Sequence, residues 1–119
     1  MPSERLLRRL GDILDNIGRI ERFTSGLDLR AFTENEQAIF AVLHALLIIS
    51  EAARRLGNQA EKAAADQPWQ AIRALGNVLR HQYDDVDPAA IWRIVRDDLP
   101  SLKQAIERAL ARFRSAEPS

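Results

Sequence analysis

Arg73, Asn77, Arg80, His81 and Tyr83 lie close together in the chain and carry most of the chemistry that it offers. Arg73, Asn77 and His81 recur at every fourth position, the spacing that aligns side chains along one face of an α-helix. On a wheel turning about 100° per residue, Arg73, Asn77, Arg80, His81 and Asp84 share one side. Ile72, Leu75 and Leu79 fall opposite them, so the polar side is not needed for packing within the chain. A guanidinium grips phosphate oxygens through paired N–H donors, and an imidazole takes or gives a proton near neutral pH. Metal-independent cleavage of RNA needs little more. The imidazole takes the proton of a 2′-hydroxyl or supplies one to the leaving oxygen, while the guanidinium offsets charge on the phosphoryl group. One such helix offers one imidazole, and two paired across a two-fold axis offer both an acid and a base. The competing reading of the wheel is a solvated face with a surface histidine.

Other chemistry-bearing residues are fewer. Glu51 either orients Arg73, Arg80 or His81, or simply pairs with Arg54 or Arg55 along its own helix. His44 sits inside the most apolar stretch and is expected to be buried and hydrogen-bonded, or to be a dimer contact, rather than a ligand. Asp84, Asp85 and Asp87 precede Pro88, where capping and solvation explain them better than Mg²⁺ does. The two histidines have no tightly spaced acidic neighbours, so no metal site is expected, and no cofactor is called for. No Gly-rich phosphate loop, Ser-His-Asp set or helix-turn-helix signature stands in the sequence.

The elements that must position these residues are helical. At 119 residues the chain has room for one core and not two. Five glycines, five prolines and few β-branched runs leave little material for strands. Lys+Arg and Asp+Glu balance at 17 each, so attraction to nucleic acid must come from a local patch. The absence of cysteine removes disulfides and thiolate chemistry. Charges interrupt the first nine residues, unlike a signal peptide. The longest apolar run, 38–49, falls short of the roughly 20 residues that span a bilayer. These features together predict a cytoplasmic protein without a membrane segment.

Leu6, Leu10, Ile13, Ile17 and Ile20 mark the buried face of a first helix ended by Thr24-Ser25-Gly26. Thr33 and Glu36 form a capping-box pattern that opens a second helix, ending near Gly57. It is apolar nearly all round from Ala38 to Ile49, as the central helix of a bundle would be. The stretches 27–32 and 58–67 read as connectors, the latter partly helical. Pro68 suits the first turn of a third helix running to about Tyr83. Asp87-Pro88 caps a further segment through Trp92 and Val95, and Pro100, inside or just at the start of the next run, is expected to break or kink that run. Trp69 and Trp92 read as core anchors. A last stripe, Leu99, Leu102, Ile106, Ala109 and Phe113, completes an antiparallel bundle of four to five helices in one domain, 1–114, with 115–119 as a frayed tail.

The stretch from Trp69 to Tyr83, followed by Asp84-Asp85-Val86-Asp87, Ile91-Trp92-Arg93-Ile94-Val95 and Asp98-Leu99-Pro100-Ser101-Leu102, resembles the HepT-like toxins of the HEPN fold. Ile48-Ile49-Ser50-Glu51-Ala52 is similar to the family's second-helix signature, usually written Ile-Ile-Gly-Glu-Ala, and the Phe23-Thr24 and Leu29 region is similar to its first connector. The likeness runs in order through almost the whole chain. It implies a HEPN bundle and a homodimer with the motif helices facing each other. It further implies an RNA substrate and one half of a type VII-like toxin–antitoxin pair, whose partner is an MntA-type minimal nucleotidyltransferase antitoxin.

The family's motif is Arg, four to six residues, His, one residue, Tyr. His81 matches the catalytic histidine, Tyr83 the tyrosine to which the antitoxin transfers AMP, and Asn77 the polar residue after the arginine. The arginine's usual place, five before His81, is Gly76, which also weakens the helix by up to about 1 kcal/mol relative to Ala. Two readings are then open. Either Arg73 or Arg80 supplies the missing charge, or the site is catalytically silent and the chain is a helical dimer that binds the nucleotidyltransferase. Arg73 lies about 12 Å along the helix axis from His81, within partial reach of a long side chain.

Overall fold

The structure, a computed structural model, describes residues 3–116, and every regular element among them is helical. The first helix, α1 (Glu4–Thr24), starts where the Ser3 hydroxyl accepts from the Leu6 N–H, and it buries the expected stripe from Leu6 to Ile20. Asn16 is buried in the same face, with its amide satisfied by Asp12 O and Arg19.

The connector after α1 contains a short helix, α2 (Leu29–Thr33), capped by Asp28. It sends Phe32 into the core, with its ring centroid 5.1 Å from that of Trp92. This changes the start of the next helix. Thr33 closes α2, its hydroxyl donating to Arg30 O, and Asn35 caps α3 (Glu36–Leu56) by accepting from the Ala38 N–H. The capping box expected at Thr33 and Glu36 is therefore replaced by an asparagine cap two residues on.

At 21 residues, α3 is long and apolar enough to cross a membrane by length and composition, although the run 38–49 read alone is too short. Half of that stretch is buried inside the bundle. It lies between α1 on one flank and α5 (Trp69–His81) on the other. A short helix, α4 (Asn58–Ala63), comes after the positive-φ turn at Gly57. Trp69, buried as expected, then anchors the start of α5 by donating its indole N–H to Ala64 O at 2.7 Å.

A single 3₁₀ turn at Tyr83–Asp85 ends the motif helix. Asp87 caps α6 (Pro88–Arg93), as its place before Pro88 implied. Pro100 does not break the last helix. The chain passes through a π-helical turn at Ile94–Asp98, where the Leu99 N–H reaches Ile94 O, and continues as α7 (Leu99–Ala116). A π-helical turn takes one residue more per hydrogen-bonded loop than an α-turn. It sits just where the proline lacks a donor for the preceding turn. Ser115 and Ala116 are helical rather than frayed, and residues 117–119 lie outside the described part. Four rods, α1, α3, α5 and the continuous α6–α7, make the antiparallel all-α bundle, with α7 closing onto α1.

Candidate active site

The motif helix meets α3 through its smallest residue. Gly76 is buried, and a Cβ built on it would lie 2.6 Å from Ser50 Cβ. Real Cβ atoms do not approach so closely, so only glycine lets the two helices meet here without a shift. Ser50 is itself buried and donates its hydroxyl to Leu46 O at 2.9 Å. Gly76 is therefore a packing contact, beyond the weak point that helix propensity alone makes of it.

One turn further on, Arg80 folds back over this contact. Its Nη1 lies 3.5 Å from where the Gly76 Cβ would be, and 3.5 Å from Glu51 Oε2 on α3. The bare surface of Gly76 thus provides room for a guanidinium supplied from position 80. Glu51 is already well satisfied without it. Arg54 meets Glu51 at 2.5 Å and Arg55 at 3.1 Å. Hydrogen bonds from Arg54 first, and then Arg55, hold its carboxyl down at about 2 against the opposing effect of burial. Three guanidinium groups around one carboxylate leave two positive charges in excess. Arg80 is the most loosely held of the three, with one long contact, and so keeps donors free for an incoming anion. Glu51 pairs with Arg54 and Arg55 along its own helix and makes one longer contact with Arg80. A cleft of about 320 Å³ opens beside this cluster, lined by Arg9, Leu47, Ile48, Glu51 and Arg80 among others.

His81 ends α5 and is exposed, as is Asn77 one turn before it. Tyr83 comes next in the 3₁₀ turn, with 42% of its surface exposed. Its ring stacks on Phe40 of α3, with centroids 5.5 Å apart and planes 26° from parallel. His81 and Tyr83 therefore lie at the Phe40 end of the α3–α5 pair, while the Arg80 guanidinium reaches back towards Glu51, about 16 Å further along α3.

Arg73 goes elsewhere. Its guanidinium donates to Ala53 O and Gly57 O at the end of α3, and it holds Glu61 of α4 in a two-pronged pair at 2.6 and 3.1 Å. The hydrogen bonds with Glu61 raise the pKa of Arg73 and lower that of Glu61. Four of its five N–H donors are so occupied, and they direct the guanidinium to the end of α3 and to α4. Arg73→Ala is expected to lower stability by roughly 1–3 kcal/mol, through lost charge-assisted bonds to two carbonyls and a carboxylate. RNA cleavage by the folded protein should stay near the wild-type rate. Thermal melting alongside a cleavage assay checks both, and a cleavage loss without a melting shift would return Arg73 to the site.

Of the two expectations for His44, burial within the chain is the one that fails. It is exposed, not buried. The apolar run around it conceals an outward stripe, Phe40, His44, Leu47 and Ile48, that neither α1 nor α5 covers completely. The contacts Phe40–Tyr83 and Ser50–Gly76 fix α3 and α5 as antiparallel, with His44 between those two points. Sequence reasoning also missed Phe40. Its signal was a large aromatic one turn before His44 on the same face.

The chain matches the family model described as ribonuclease HepT-like over residues 13–109. A Methanocaldococcus jannaschii protein bearing the name RNase is 35% identical over 98 residues, covering 82% of this chain and 90% of its own length. A Thermococcus cleftensis protein bearing the name ribonuclease HepT is 34% identical over 99 residues, covering 83% of this chain and 90% of its own. No solved structure gives a significant match.

Proposed function

The chain belongs to the HepT-like ribonuclease family, and from that premise we propose that it is a metal-independent endoribonuclease with His81 as acid or base and Arg80 as phosphate clamp. The observation that carries this reading is the guanidinium of Arg80 lying over Gly76, next in sequence to an exposed imidazole. His81 takes the proton of a 2′-hydroxyl, and the 2′-oxygen attacks the adjacent phosphorus. The bond from phosphorus to the 5′-oxygen breaks, and His81 of a second copy protonates that oxygen. Arg80 balances the negative charge that builds on the phosphoryl oxygens. The products are a 2′,3′-cyclic phosphate and a 5′-hydroxyl.

A homodimer supplies the second imidazole. The outward stripe of α3, with Leu47 and Ile48, is apolar surface suited to such a pairing. In this reading the protein is the cytoplasmic toxin of a toxin–antitoxin pair, and a minimal nucleotidyltransferase holds the ATP. The Tyr83 oxygen attacks the α-phosphorus, pyrophosphate leaves, and the phenolic proton is lost. The attached adenylate adds bulk and negative charge two residues from His81.

Cleavage of RNA by the purified protein in excess chelator tests the proposal. Arg80→Ala is expected to slow it by about 100-fold, with Arg80→Lys intermediate because a point charge replaces a planar fork. A requirement for divalent metal, or full activity in Arg80→Ala, refutes it. The absence of an arginine at Gly76 favours a second reading, a catalytically silent dimer that serves as the nucleotidyltransferase's binding partner. That reading predicts no cleavage by the wild type and a stable complex on co-expression.

A further inference from the structure

We propose that Phe40 and Tyr83 form a base-binding subsite, a platform beside His81 on which one unpaired nucleobase of a single-stranded RNA stacks. The inference rests on the ribonuclease reading and adds to it a determinant of substrate choice from α3. Phe40 and Tyr83 are each more than two-fifths exposed, although large aromatic rings are usually buried. They meet ring to ring at 5.5 Å, so each holds the other in place and a ring face stays open to a ligand. Unpaired bases stack on such rings whatever their identity, because every base has a π-face.

Position makes the pair more than a hydrophobic spot. Tyr83 lies two residues after His81, and the Arg80 guanidinium sits over Gly76, about 15 Å along α3 from Phe40. The excess positive charge around Glu51, to which Arg80 belongs, lies further along the same seam, between α3 and α5. A strand laid along this seam would meet cations, then the imidazole, then the rings. The phenolic hydroxyl of Tyr83 stands at the edge of the platform, where it can hydrogen-bond one base in preference to another.

The test uses His81→Ala protein, which binds without cutting, and a nine-residue oligoadenylate carrying one 2-aminopurine. Stacking on Phe40 and Tyr83 is expected to quench the probe. Phe40→Leu keeps apolar volume and removes the π-face; added to His81→Ala, it should abolish the quench and weaken binding by about tenfold. Phe40→Trp in the same background should retain both. An oligonucleotide with an abasic residue in place of the probe should bind all three proteins alike. Unchanged affinity in the Phe40→Leu protein overturns the proposal. So does a shift of that protein to monomer in sedimentation, which would mark the rings as a contact between copies. Two failures are separable. If wild type cuts RNA and Phe40 changes nothing, the subsite falls alone. If the probe is quenched through Phe40 but wild type never cuts, the ribonuclease reading falls alone.

Discussion

Replacing His81 with Ala is expected to reduce RNA cleavage by about 10²- to 10⁴-fold, the span over which a positioned acid or base accelerates proton transfer. Folding should change little, because His81 is exposed at the end of α5. A dimeric arrangement sharpens the expectation. If acid and base come from two copies, a heterodimer of wild type with His81→Ala lacks one of the two. Activity in randomly mixed dimers should then fall with the square of the wild-type fraction rather than in proportion to it. A linear decline would place the whole reaction in one subunit. Full activity of His81→Ala would remove His81 from the chemistry altogether.

The second large effect concerns stability. Gly76→Arg is expected to destabilise this chain. Any Cβ at 76 lies 2.6 Å from Ser50 Cβ, so α3 and α5 must separate or Ser50 must move. Overpacking of this kind costs about 1–3 kcal/mol, more than the roughly 1 kcal/mol of helix propensity gained by replacing glycine. The new side chain also competes with Arg80 for the space over the contact. Adding Ser50→Gly removes the opposing atoms, so the double variant should recover much of the lost melting temperature. Thermal melts of the two single variants and the double variant measure that coupling. A Gly76→Arg protein that melts with wild type would show that the helices can part at no cost.

The sequence made some of this legible and left other parts hidden, for identifiable reasons. The α1 stripe, the Asp87 cap and the exposed side of α5 arise from local spacing, which a wheel captures. The role of Gly76 depends on Ser50, a residue 26 positions earlier on another helix. No periodicity within α5 could reveal that. Arg73 and Arg80 looked interchangeable because both lie on the polar side. The carbonyls at the end of α3 and the carboxylate of Glu61 claim the first and leave the second. His44 looked buried because apolar residues surround it in sequence. A helix flanked on two sides and open on a third is apolar nearly all round, yet still presents one stripe outward. Thr33 and Asn35 both suit a helix start, and the choice fell to Asn35 once α2 had used Thr33 as its end.

The π turn at Ile94–Asp98 sets the angular phase of the last helix. Each residue of an α-helix advances its side chains by about 100°. The wide turn takes up one residue without adding its full rotation, so everything after it is indexed differently from a regular continuation of α6. With that index, Leu102, Ile106 and Ala109 are buried in the core, where α7 meets α1. Shifted by a single residue, the same three would swing toward water. The widened turn beside Pro100 therefore works as a clutch between two gears, disengaging the pitch of α6 from that of α7. It fixes which side of the bundle is sealed, and α3 keeps its open stripe on another.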